Sequence, residues 1–190
     1  MGKARLDQAT VIQAAAELAD TVGLEKVTLG DVAAQLGVRT PSLYNHVAGL
    51  AGLRRELTLL GLHELSRRLG QAVMGKAKNE ALQALAWVYR DFVKEHPGLY
   101  TATVRAPDPE DAEQQAAAKE SVDIVLKVLA PYGLHDDDAL HAVRGIRSIL
   151  HGFTTLEIAG GFGLPLELDE SFRRLVGMFI EGLEHGRDRS

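Results

Sequence analysis

From Val11 to Leu183 the apolar residues of this chain recur at intervals of three and four, and nowhere do they alternate over the length of a strand. That spacing puts one apolar stripe on each helix and leaves no face for a sheet, so the chain is restricted to all-α architectures. Val11, Ile12, Ala15, Leu18, Ala19 and Val22 make the first stripe, and Gly23 is fitted to stop that helix. Thr28 then offers an N-cap with Asp31 three residues on. Leu29, Val32, Ala33 and Leu36 form the inner side of a short helix that Gly37 ends. A third short helix fits Thr40 to His46, with Pro41 in its first turn. A long helix follows from about Gly49 to Val73.

Further on, Asn79 can cap a helix that buries Leu82, Leu85, Tyr89 and Phe92 and ends at His96-Pro97-Gly98. A short helix is expected over residues 99–105. Asp108 and Pro109 suit the N-cap and first position of a long helix reaching Leu129. Asp136 to Asp138 open the next one, their charge matching its positive dipole end. Residues 160–165 are a glycine-rich turn, and Phe172, Leu175, Val176, Phe179, Ile180 and Leu183 stripe the last helix. About nine helices result.

The cysteine count is zero, which excludes disulfides, thiolate metal sites and a cysteine nucleophile. The seven histidines and the many carboxylates fall in no catalytic or metal-binding spacing. His135-Asp136-Asp137-Asp138 with His141 comes nearest, and the aspartates are better explained as helix N-terminal charges. No enzyme, metal or cofactor is expected. Met1-Gly2-Lys3-Ala4-Arg5 has no apolar run behind it, and no run approaches the ~20 residues of a membrane span. A soluble, cytoplasmic protein is the expectation.

Net charge of -5 speaks against a nucleic-acid partner until the chain is divided. Residues 1–70 carry eight Lys/Arg against seven Asp/Glu, and residues 71–190 carry thirteen against nineteen. The first part can therefore present a local cationic face. Within it, two short helices joined by Gly37-Val38-Arg39 have helix-turn-helix proportions. Val32, Ala33, Leu36, Val38, Leu43 and Val47 can hold the pair together, leaving Arg39, Thr40, Ser42, Tyr44, Asn45 and His46 outward. Those donors, a cation and a phenol suit phosphates and base edges. An ordinary solvated helix pair has the same spacing.

The residues themselves go further. Thr28-Leu29-Gly30-Asp31-Val32-Ala33, then Gly37-Val38-Arg39-Thr40-Pro41-Ser42-Leu43-Tyr44-Asn45-His46-Val47, resembles the signature of the tetracycline-repressor (TetR) family over about residues 8–55. The resemblance implies a DNA-binding domain over residues 1–48 and a ligand-binding and dimerisation domain over 49–190. It implies a homodimeric transcriptional regulator, a repressor released from a palindromic operator by a small, largely apolar effector. Carried over, Thr28, Tyr44 and His46 would meet phosphates, and Arg39, Thr40, Ser42 and Asn45 would lie nearest the bases. One position departs: Leu50 stands where the family usually has a lysine. The C-terminal part is similar to a subgroup named for tryptophan, histidine and glycine; His151-Gly152 fits, while Arg147 replaces the tryptophan.

The last two long helices carry more apolar surface than one protomer needs. Packing them on a two-fold copy would make a four-helix bundle, with Phe153, Phe172, Leu175, Val176, Phe179 and Leu183 at its seam. Leu175, Phe179 and Leu183 could instead be internal core. Trp87, Tyr89, Tyr100, Thr103 and His151 mix apolar bodies with polar tips, as effector pockets do.

Overall fold

The computed structural model describes residues 6–185; the basic stretch at residues 1–5 lies outside them. Eight α-helices follow in order: α1 (Gln8–Val22), α2 (Leu29–Gln35), α3 (Gly49–Val73), α4 (Lys78–Glu95), α5 (Pro97–Thr103), α6 (Ala112–Leu129), α7 (Asp136–Ile158) and α8 (Leu168–His185). The segment Thr40–Asn45 between α2 and α3 is a 3-10 helix, which brings the long and short helices read from the sequence to nine. Leu24–Lys26 and Ala130–Tyr132 are single 3-10 turns. The described residues contain no strand.

Three helix starts differ from the sequence reading, each for a local reason. α5 begins at Pro97 rather than at residue 99, because the Asp20 carboxylate on α1 accepts from the Gly98 and Leu99 N–H groups at 2.9 Å. A side chain from another helix thus does the work of a cap. α6 begins at Ala112, because Asp111 accepts from Gln114 N–H at 3.1 Å, whereas Asp108 turns to Glu110 N–H. Asn79 lies inside the first turn of α4 and caps nothing there. Its amide donates to Glu184 and its oxygen accepts from the Tyr132 hydroxyl.

The chain forms two compact units. Among the described residues the first comprises 6–64 with 95–117, the second 65–94 with 118–185. Residues 49–64 and 95–117, assigned from the sequence to the second domain, therefore pack with the N-terminal helices.

In the first unit Val11, Ala15, Val32, Leu43, Leu53 and Leu57 are fully buried. α5 lies on α1 so closely that a Cβ at Gly98 would overlap the Ala19 backbone. Glycine is required there because two main chains touch. Arg55 on α3 holds Asp111, Glu113 and Glu56.

In the second unit the core is Leu82, Leu85, Phe92, Leu129, Tyr132, Ile146, Leu150 and Phe172. Burying a side chain of this size contributes about 1.5–3 kcal/mol. Burial pushes the Tyr132 phenol up to about 12, so it stays protonated and donates to Asn79 at 2.8 Å. Ser66 and Ser121 pair at 2.7 Å.

Candidate nucleic-acid interface

The 28–47 segment is built from local rules. Thr28 and Asp31 form a complete capping box: Thr28 Oγ1 accepts from Asp31 N–H, and the Asp31 carboxylate accepts from Thr28 N–H. Gly37 turns the chain at φ +65°, a left-handed conformation that a side chain would strain. Gly37 and Val38 N–H return to the Ala34 and Ala33 carbonyls, closing α2. Arg39 then leads into the 3-10 helix, with Pro41 tolerated near its start.

The tighter winding sorts the side chains into rows three residues apart. Leu43 is fully buried and Val47 nearly so, anchoring the segment to the core beneath it. Tyr44 is 61% exposed, with Pro41 on its row. Asn45 and Arg39 are exposed, while Thr40, Ser42 and His46 are half-buried. The outer surface is thus an aromatic hydroxyl, an amide and a guanidinium, rimmed by two hydroxyls and an imidazole. These are the residues that the sequence left outward, three of them half-buried, on a 3-10 rather than an α-helix.

Thr28 is also exposed, but its hydroxyl proton goes to Asp31 Oδ2 at 2.6 Å. A phosphate would have to take that proton from the cap. Two cations, Lys26 and Arg54, escaped the sequence reading. Lys26 is exposed two residues before Thr28, and Arg54 reaches Glu25 at 3.0 Å. Arg54 Nε is buried without a partner, so that side chain is only partly satisfied. Neither stands in a motif, which leaves only their charge as a signal.

The five residues expected to meet an effector do not gather in either unit. Tyr100 and Thr103 are buried in the first, with Thr103 Oγ1 donating to the Tyr100 carbonyl. Trp87, Tyr89 and His151 belong to the second, where Tyr89 is buried and the other two are half-buried. Trp87 packs edge-on against Phe172, ring centres 5.0 Å apart. Tyr89, Tyr100 and Thr103 are thus closed to solvent, whereas Trp87 and His151 keep some surface.

The expected seam divides similarly. Phe153, Phe172 and Val176 are buried inside the protomer, with Phe153 and Phe172 rings 5.1 Å apart, so they have almost no surface left for a partner. Leu175, Phe179 and Leu183 remain half-exposed on α8. Among the described residues no three His, Asp or Glu side chains are placed to hold a metal. Asp136 to Asp138 lie exposed in the first turn of α7. No described helix is long and apolar enough to cross a membrane.

Two short helices joined by a glycine turn and packed on each other, the first also on α1, with a polar outer row, define a helix-turn-helix DNA-binding protein. Residues 11–57 match the model of bacterial regulatory proteins of the tetR family, and residues 82–179 match a tetracyclin repressor-like C-terminal domain. The HTH-type transcriptional regulator YobS of Bacillus subtilis is 36% identical over 179 residues, covering 94% of this chain and 93% of that one. The HTH-type regulator Rv0681 of Mycobacterium tuberculosis is 33% identical over 182 residues, 95% of this chain and 83% of its own. A TetR variant of Acinetobacter baumannii AYE, solved in complex with minocycline, shares the fold. Its TM-score is 0.72 at 23% identity, over 98% of this chain and 99% of that one. The chain belongs to the tetR family of transcriptional regulators.

Proposed function

We propose that the chain is a cytoplasmic, homodimeric repressor that leaves a palindromic operator when a small, largely apolar effector binds. The observation that carries this reading is the division of the 40–47 segment into buried Leu43 and Val47 and exposed Tyr44, Asn45 and Arg39. Tyr44 and His46 then hold phosphates, joined by Thr28 once its hydroxyl turns from Asp31. Arg39, Thr40, Ser42 and Asn45 face the bases. Residues 1–48 read DNA, while residues 49–190 sense the effector and dimerise. Leu175, Phe179 and Leu183 supply the seam through α8, their half-exposed apolar surface favouring a second copy. Trp87 and His151, half-buried in the second unit, are the effector contacts with surface to offer. Its C-terminal part falls in the tryptophan-histidine-glycine subgroup on His151-Gly152, with Arg147 in the tryptophan's place.

A gel-shift titration tests it, comparing duplex from the region upstream of the chain's own gene with random duplex. Tighter binding to the first supports the reading; no binding to either overturns it. Sedimentation of Phe179→Glu tests the seam, because an unpaired carboxylate there costs several kcal/mol per copy, roughly, when buried. A folded Phe179→Glu dimer removes α8 from the interface.

A further inference from the structure

We propose that the groove between α1 and α3 in the first unit is a binding site for a small organic cation with an apolar body. The groove is open to solvent and has a volume of about 340 Å³. Ile12 and Gln13 of α1 form one side, and Leu59, Leu60 and His63 of α3 the other. Glu56 and Glu113 stand at its rim. None of the five effector residues expected from the sequence lines it, so the site rests on no part of that assignment.

Size and charge together select the occupant. The volume sits at the lower end of the range that small molecules fill, and is too small for a partner helix. Leu59 is buried while Ile12 and Leu60 are half-exposed, so an apolar body seated there would cover surface now facing water. The rim is anionic beyond its own neutralisation. Arg55 is shared by Glu56 at 3.1 Å, Glu113 at 2.7 Å and Asp111, three carboxylates on one guanidinium. Two negative charges remain uncompensated by that guanidinium, and two of the three carboxylates line the groove. Glu113 is 63% exposed, free to turn part of its carboxylate toward a bound ammonium. An anion would meet repulsion at the same rim.

The test uses the full chain and three probes of one skeleton: 4-phenylbutylammonium, 4-phenylbutanol and 4-phenylbutyrate. Titration calorimetry should show the ammonium binding, the alcohol about tenfold more weakly, the factor that 1.4 kcal/mol represents, and the carboxylate not at all. In a ¹³C-methyl spectrum of the unaltered protein, the Ile12 δ-methyl should shift with the ammonium. Glu56→Gln with Glu113→Gln should bring the ammonium down to the alcohol's affinity, and Leu60→Trp should fill the groove and remove both. Equal affinity for ammonium and alcohol, an unmoved Ile12 methyl at saturation, or no binding of the ammonium each overturns the proposal. The Ile12 readout needs no variant, so a misfolded mutant leaves the outcome decided. DNA binding, measured separately by gel shift, stands or falls independently.

Discussion

Arg90 and Glu157 meet as a two-pronged ion pair in the second unit, Nε and Nη2 each donating to a carboxylate oxygen at 2.7 Å. The side chains are 3% and 8% exposed, and the guanidinium lies 5.0 to 5.7 Å from the Phe172, Trp87 and Phe153 ring centres. Asp169 at the start of α8 takes Nη1, so one arginine on α4 joins α7 and α8. Glu157→Ala would leave the buried Arg90 only the exposed Asp169 as a carboxylate partner, at up to about 3–5 kcal/mol. Urea melts should show that loss, whereas Arg90→Met with Glu157→Leu should recover most of it. A Glu157→Ala protein as stable as the unaltered one would mean that the pair contributes nothing.

The same pair sets an acid limit. The Arg90 hydrogen bond holds the Glu157 carboxyl below the usual glutamate range, against its own burial, and Lys94 adds to the effect. A carboxyl depressed in the folded state contributes stability above the ordinary range and loses it as pH falls through the lower folded value. Stability should therefore fall below about pH 4, less steeply in Glu157→Gln. Identical acid limbs for the two proteins would count against this pair as the cause.

Two glycines should respond oppositely to alanine. At Gly98 a Cβ would collide with the Ala19 backbone, where neither helix can give without parting from the other. Gly98→Ala should cost about 1–3 kcal/mol or more. Gly152, inside α7, has nothing within 4 Å of an added Cβ. Gly152→Ala should gain about 0.5–1 kcal/mol from helix propensity. Thermal melts of the two variants moving in the same direction would contradict this packing.

Phosphate contacts and caps can be separated in the head. Tyr44 is exposed, so Tyr44→Phe should leave the melting temperature alone and weaken binding about equally on specific and random DNA. Thr28→Ala removes the capping box, costing about 1 kcal/mol, and should weaken DNA binding as well. A changed base preference in Tyr44→Phe, with random binding intact, would assign the phenol to a base instead.

What the sequence made legible was local. Helix periodicity and the Thr28–Asp31 box are relations within four residues, and they were readable at once. The 3-10 winding of Thr40–Asn45 was not, because the same residues suit either helix. Arg90 and Glu157 lie 67 residues apart, with no spacing rule to join them. Gly98 reads as part of a Pro-Gly break; the Ala19 backbone behind it is a tertiary fact. The burial of Tyr100 and Thr103 was not legible either, because a pocket lining and a core share one chemistry.

Leu50 offers the sharpest test of the interface, because it stands where the resemblance expects a lysine. Its neighbours Val47 and Leu53 are buried, while Leu50 itself is only half so. A lysine there can lay its methylenes along the surface that leucine now covers and hold its ammonium in water. On the proposed DNA face, that ammonium would neutralise a phosphate near the end of the 40–47 segment. Each neutralised phosphate adds roughly -0.9 to the slope of log affinity against log salt. Leu50→Lys should therefore tighten binding to specific and random duplexes alike and steepen that slope by about one per protomer. Its melting temperature should change little. A lower melting temperature with no gain in affinity would mean that Leu50 serves the core of the first unit and that α3 begins away from the phosphates.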